Sequence, residues 1–275
     1  MSILYGAMVP HPPLIIPEVG RGEERGIQKT IDSYRQVAAA IEKLSPETVV
    51  ITSPHSVMYA DYFHISPGQS ASGDMGRFRA PGVRITARYD EELVEMISRK
   101  CLETGFPAGT DGERDPSLDH ATFIPLWFIE NAYRDAGKSP DFRVVRIGLS
   151  GLPLDMHVRL GNIIRDSVDA LSRMTVFVAS GDLSHRLTRE GPYGYNEMGP
   201  VYDKRIMDVM GRAAFSELAG FDDRLLDEAA ECGHRSFTIM GGALAGLRVT
   251  PHMYSHEGPF GVGYGVCDYW IGNPG

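Results

Sequence analysis

Nine histidines are spread along 275 residues, and their surroundings say more than their number. His11, His55 and His185 each stand just past a short apolar run, beside Pro, Gly or Ser residues that shape tight loops. His120 follows Asp119 where a helical pattern begins, and Glu231 and Cys232 precede Gly233 between two helical segments. One histidine after a strand is more often a loop residue bonded to backbone; three in the same kind of place point to convergence. Imidazoles with a carboxylate suit a mononuclear metal site. Two neutral histidines and one carboxylate on one face of an octahedral ion leave positions open for substrate and O2, which suits non-haem Fe(II). Zn(II) accepts His and Glu donors equally well and is the inorganic alternative.

Competing chemistries lack their residues. Gly148-Leu149-Ser150-Gly151 falls short of a G-x-S-x-G elbow. Gly261-Val262-Gly263-Tyr264-Gly265 lacks the spacing and following helix of a dinucleotide loop, and neither a Walker A sequence nor H-E-x-x-H occurs. Cys101, Cys232 and Cys267 are far apart and odd in number, which fits a reducing compartment better than a disulfide scaffold.

The elements that must position these groups alternate. Ile3–Val9 reads as a strand broken by Pro10-His11-Pro12-Pro13, and Thr48–Thr52 as a buried strand ending at Ser53-Pro54-His55. Between them, Ile27, Ile31, Tyr34, Val37, Ala38, Ile41 and Leu44 recur at helical spacing. The Gly/Ser-rich segment from Pro67 to Gly82 reads as a surface excursion, with a hairpin expected between Tyr62–Ser66 and Val83–Arg88. Asp90 caps a helix closed by Gly105, and Pro107 to Asp119 is a long loop before a helix from His120. Val144–Leu149 and Thr175–Ala179 are strands flanking a helix over Leu154–Leu171. Helices over Pro200–Arg212, Asp223–Ala230 and His234–Leu247 precede strands at Val249–Ser255 and Gly261–Tyr269.

Repeated strand–helix–strand units predict the α/β class, with a central, largely parallel or mixed sheet flanked by helices on both faces. The ligand site is then expected at the C-terminal ends of the strands. With no internal repeat or linker, residues 1–275 read as one domain. Of the other histidines, His64 is placed near the site or on the hairpin, and His157 is expected to face solvent. His234, His252 and His256 receive no role.

Lys+Arg number 27 against Asp+Glu 36, and a net charge of -9 argues against nucleic-acid binding. The N-terminal stretch lacks the pattern of a signal peptide, and Ser236–Leu247 is too short to span a bilayer, so a cytoplasmic protein is expected. A homo-oligomer is compatible with such a chain.

Several pieces, in order, resemble the LigB-type (class III) extradiol ring-cleaving dioxygenase superfamily, including its Memo-like relatives. They are Met8-Val9-Pro10-His11-Pro12-Pro13, Ile51-Thr52-Ser53-Pro54-His55, the stretch Leu118 to Leu126, and Ser180-Gly181-Asp182-Leu183-Ser184-His185-Arg186-Leu187. The last is Glu231-Cys232-Gly233 before the apolar helix ending Gly241-Gly242-Ala243-Leu244. The resemblance implies Fe(II) held by His11, His55 and Glu231, acid–base histidines at His120 and His185, and a small catecholic or aminophenolic substrate opened with both atoms of O2. Such a substrate must lose a proton on chelation and regain one as the ring opens, work for which imidazoles suit neutral pH. Asp182 is a candidate to orient an imidazole from behind, or a loop cap. Memo-like relatives carry Cys-Gly where ring-cleaving members use a carboxylate. Cys232 is therefore the alternative ligand to Glu231, and a thiolate would favour another metal or a redox role. Two further readings follow: a Memo-like metal- or peptide-binding protein without dioxygenase activity, and a Zn-dependent hydrolase or lyase on the same scaffold. Tyr59, Tyr62, Phe78, Tyr193 and Tyr195 are candidates for an aromatic pocket, with Gly191–Tyr195 as its wall.

Overall fold

A computed structural model describes residues 2–272. In chain order the elements are β1 (Ile3–Val9), α1 (Pro17–Gly20), α2 (Gln28–Leu44), β2 (Thr48–Ser53), β3 (Phe63–His64), β4 (Ser70–Met75) and β5 (Ala80–Arg88). Then follow α3 (Glu91–Glu103), β6 (Ala108–Gly109), α4 (His120–Asp135), β7 (Arg143–Gly148), α5 (Leu154–Leu171) and β8 (Thr175–Ser180). The chain continues through α6 (Met198–Gly211), α7 (Asp223–Ala229), α8 (His234–Leu244), β9 (Val249–Glu257) and β10 (Tyr264–Ile271).

Six strands form the central sheet in the order β7-β2-β8-β1-β10-β9. β7, β2, β8 and β1 are mutually parallel, while β10 and β9 add antiparallel to the β1 edge. The period of two along each strand divides the core into two layers. Val49 and Ile51 of β2 and Val176 and Val178 of β8 pack with α2 and α4, beside Ile31, Val37, Phe123 and Ile129. Val50, Phe177 and Ala179 point the other way, toward Ile97, Leu160, Ile164, Phe237 and Ile239 of α3, α5 and α8. Both faces are thus covered, as the near-continuous apolar strands require.

β2, β8 and β1 are neighbours, and the loops leaving their C-terminal ends carry His55, His185 and His11. Strands about 4.8 Å apart deliver their following loops to one crevice however distant they are in sequence.

Three local expectations are corrected. The hairpin joins β4 to β5, pairing Ala71 with Ala87 and Gly73 with Ile85. Phe63–His64 instead pairs in parallel with Ala108–Gly109. The Gly/Ser composition masked β4, whose buried Ala71 and Met75 are small or flexible and give a weak alternating signal. His157 is fully buried, not solvent-facing; its Nδ1 bonds the Pro153 carbonyl at 3.1 Å and its ring meets Phe63 edge-on. The final helix stops at Leu244, because Ala245 adopts ψ 131° and Gly246 a left-handed φ of +79°. Among the described residues, no helix is long and apolar enough to cross a membrane.

Candidate metal centre

His11 leaves β1 with both ends of its ring placed. Its Nδ1 lies 3.0 Å from Ser180 Oγ at the tip of β8, which turns Nε2 toward Cys232 and Asp182. Its backbone N–H donates to Asp182 Oδ1 at 2.8 Å, and Gly181 N–H donates to the Val9 carbonyl at 2.9 Å. The ends of β1 and β8 are therefore laced together at the site.

His55 and His120 are brought together by one carboxylate. Asp119 caps α4: its Oδ1 accepts from the N–H of Ala121 and Thr122 and from Ser53 Oγ at 2.6 Å. Its Oδ2 accepts from Thr122 Oγ1 at 2.8 Å. Asp119 thus ties the helix that begins with His120 to the strand end that precedes His55. Behind it, the buried Arg146 donates to Ser66 Oγ and the Ser117 carbonyl and lies 3.9 Å from Asp119 Oδ2.

The outcome is a triad of imidazoles. The His55 and His120 rings stack at 4.2 Å, and His11 meets them edge-on at 4.9 and 5.4 Å. One ring nitrogen from each lies within 4.8 Å of the others. A second group with the same spacing shares His11 and adds Asp182 and Cys232. Cys232 Sγ is 3.6 Å from His11 Nε2 and accepts the Asp182 backbone N–H at 3.3 Å.

Glu231 stands in neither group. Its Oε2 accepts the His234 N–H at 2.5 Å, closing the first turn of α8. The adjacent side chains diverge at this turn, and Cys232 is the one that faces His11. A pair of glycines makes this possible. A Cβ on Gly233 would lie 2.8 Å from the Gly181 Cα, so the two backbones touch only because both lack side chains. His185 lies at the rim, with Nε2 4.0 Å from Asp182 Oδ2, its buried Nδ1 without a protein partner, and Tyr193 edge-on at 5.3 Å.

Electrostatics favour a cation here. Burial holds His11 well below the ordinary imidazole range, and the neighbouring His55, His120 and His185 add to it. His120 is lowered to about 4 by burial and by His55, against the opposing pull of Asp119. His55 keeps an open face, yet the surrounding protein still lowers its pKa, and burial likewise lowers His185. Burial raises Asp182 and Glu231 to about 7 and pushes the Cys232 thiol well up. Neutral imidazoles present lone pairs rather than protons, and a divalent ion would draw the acid and thiol into their anionic forms. These donors fit a divalent metal.

Sequence reasoning missed the tying role of Asp119, the support from Arg146 and the Gly181–Gly233 contact. Signals for the first and last were present, in an Asp before an apolar helix and in glycines flanking Asp182 and Cys232. His64, buried against the Asp111 carbonyl and Glu113, belongs to the wall of the long loop. His256 pairs with buried Asp203 and His252 with buried Asp268, away from the triad. His234 is buried and bonds the Leu218 carbonyl.

A mixed sheet with imidazoles converging past its parallel strand ends defines an α/β protein with a candidate metal centre. The chain belongs to the family described as the catalytic LigB subunit of aromatic ring-opening dioxygenase, whose model matches residues 5–267. It is 35% identical over 282 residues to a protein of Clostridium acetobutylicum, covering 97% of this chain but 57% of that relative. The chain thus spans little more than half of that relative's length. It is 24% identical to the 2-aminophenol 1,6-dioxygenase beta subunit of a Pseudomonas species, over 98% of this chain and 94% of the relative. A MEMO1 family protein of Pyrococcus abyssi is also 24% identical, over 81% of this chain and 71% of the relative. The crystal structure of an uncharacterized protein from Escherichia coli K12 shares the fold, with a TM-score of 0.59 at 13% identity, covering 97% and 99% of the two chains.

Proposed function

We propose that the protein is a non-haem Fe(II)-dependent extradiol-type dioxygenase that opens a catecholic or aminophenolic ring with both atoms of O2. Residues 1–275 form its single catalytic domain in this reading. The observation that carries it is the His11–His55–His120 group, whose His55 and His120 line a cavity of about 730 Å³. The cavity lies within the roughly 300–1,000 Å³ that encloses small-molecule ligands. Membership of a ring-opening family and the activity named for the Pseudomonas relative support the same chemistry.

His11 and His55 are the proposed imidazole ligands. The remaining donor comes from Asp182 or Cys232, which share His11's neighbourhood; Glu231 would first have to give up the start of α8. Bound iron supplies Lewis acidity that favours the anionic substrate and a place for O2 beside it. His120 and His185 do the proton work. Both are neutral near pH 7, so either accepts a proton from a substrate hydroxyl and returns it as the ring opens. Asp182, with Oδ2 4.0 Å from His185 Nε2, would stabilise the imidazolium.

A second reading, a Memo-like metal-binding protein without ring cleavage, is favoured by one observation: Cys232 Sγ, not the Glu231 carboxylate, faces His11. A thiolate ligand selects softer ions. The experiment is an aerobic assay of anaerobically Fe(II)-loaded protein against a catechol and aminophenol panel. Coloured ring-opened product with matching O2 uptake is expected, and His185→Ala should keep its metal while losing about 10²–10⁴-fold in turnover. Bound iron with neither product nor O2 uptake would reject ring cleavage in favour of the second reading.

A further inference from the structure

His185 stands at the rim of the centre, in the segment between β8 and α6, and that segment is gripped from its outer side. Leu183 N–H donates to the Gly263 carbonyl, and Gly263 N–H returns a bond to the Ser184 carbonyl, both at 2.8 Å. His185 N–H and Ser184 Oγ both donate to the Ala229 carbonyl, at 3.1 and 2.9 Å. Of the backbone donors from Leu183 to His185, only the Ser184 N–H goes to a side chain. Asp203 Oδ1 accepts it at 2.8 Å.

Asp203 is out of character for its place. It lies inside α6, where aspartate is a weak helix former, and it is 1% exposed. A carboxylate taken out of water needs donors for its oxygens. Oδ1 has Ser184, and Oδ2 accepts from His256 Nε2 on β9 at 2.7 Å. Two glycines make room for this packing. A Cβ on Gly263 would fall 2.9 Å from Asp203 Cγ, and one on Gly199 would fall 2.7 Å from Ser184 Oγ. His256 is half-buried and opens onto a surface groove with Leu187, Met207 and Met253. A polar chain therefore runs from that groove, through one buried carboxylate, to the residue before His185. Joining α6 to β9 would need only the His256 bond; the bond to Ser184 is what adds the loop.

We propose that Asp203 is a positioning residue for His185: it fixes the backbone that carries the imidazole, while His256 on the outer side fixes Asp203. The inference rests on the ring-opening reading for what His185 does, but not for where it is held. His185 itself meets Asp182 at 4.0 Å and the exposed Tyr193 edge-on, loose contacts that leave its aim to the backbone beneath. Misplacing a reacting group by about 1 Å can cost on the order of 10²-fold in rate.

The test reads His185 directly as well as turnover. Diethyl pyrocarbonate, which acylates neutral imidazoles, is applied without O2 to the iron-loaded whole chain, and peptide mass spectrometry follows each histidine's labelling rate. Asp203→Ala should raise the His185 rate about threefold or more by loosening its segment, while the remote His252 keeps its rate. Its kcat for a ring substrate should fall about 10–100-fold with KM within about threefold, because the cavity wall is untouched. Asp203→Asn should restore most of both. Its amide oxygen still accepts the Ser184 N–H, and its nitrogen donates to the other tautomer of His256. A role confined to stapling α6 to β9 would lower the melting temperature of Asp203→Ala without moving the His185 rate or kcat, and that result would overturn the inference. So would an Asp203→Asn protein that melts normally yet labels like Asp203→Ala. Should Asp203→Ala not fold, His256→Leu removes only the outer bond and should raise the His185 rate about twofold; an unchanged rate there would equally overturn it. A labelling shift in a protein that opens no ring would instead defeat the proposed activity and leave the positioning role standing.

Discussion

Replacing Gly181 by Ala tests how the second donor group is assembled. A methyl group there would fall well inside contact distance of the Gly233 Cα and 3.0 Å from Phe237 Cζ. Carbon atoms rest at about 3.5–4.0 Å, so the two backbone segments must separate by roughly 1.5 Å or more, and neither can rotate out of the way. Overpacking of this kind costs about 1–3 kcal/mol, which for a chain of this size lowers the melting temperature by roughly 2–12 °C. The separation acts on the bonds that set the site, Gly233 N–H to the Asp182 carbonyl at 3.1 Å and Asp182 N–H to Cys232 Sγ. It therefore moves Cys232 away from His11. Loss of support around metal ligands typically weakens binding by about 10–100-fold. Titration of metal-depleted protein with Fe(II) or Co(II) under anaerobic conditions, alongside thermal denaturation, reads both effects. Affinity within twofold of the unaltered protein would refute the claim that the Gly181–Gly233 contact positions donor atoms.

Two further outcomes follow from groups around the site and in the core. Asp119→Ala removes a helix cap, worth about 0.5–2 kcal/mol, and releases Ser53 from α4, so both stability and metal affinity should fall. Asp119→Asn, an equally good cap, should restore most of the stability in denaturant melts; a failure to do so would show that the cap is not the main loss. His157 and His234 are buried, and burial lowers each to about 4 against an ordinary imidazole near 6.5. The unfolded chain therefore binds the extra protons between those values. Each group's contribution is whole above pH 6.5 and is lost as pH falls toward 4, at roughly 1.4 kcal/mol per pH unit. Denaturant melts across this window should show stability falling on acidification, and a rise would contradict the buried neutral state.

The parallel strands were legible because TVVIT and TVFVA are buried on both faces and read as unbroken apolar runs. His11, His55 and His185 were legible for the same reason, since each marks where such a run ends. Local pattern does not reveal which strands are neighbours. That β8 inserts between β2 and β1 is a tertiary fact, and it is what brings the three loops to one crevice. Glu231 and Cys232 show a second limit. Adjacent side chains at a turn diverge, and which one faces the site depends on the Gly181–Gly233 approach from a distant segment. His157 was misplaced because helical periodicity separates faces only coarsely. Its polar type suggested solvent, whereas the Pro153 carbonyl meets its Nδ1 and the Phe63 ring packs edge-on against it in the core.

The most direct test is metal stoichiometry in the whole chain with His11 intact and replaced by alanine. X-ray absorption at the bound metal should show one ion per chain with at least two imidazole nitrogens, and His11→Ala should abolish tight binding without unfolding the protein. An ion held with unchanged affinity and imidazole count after His11→Ala would contradict the account.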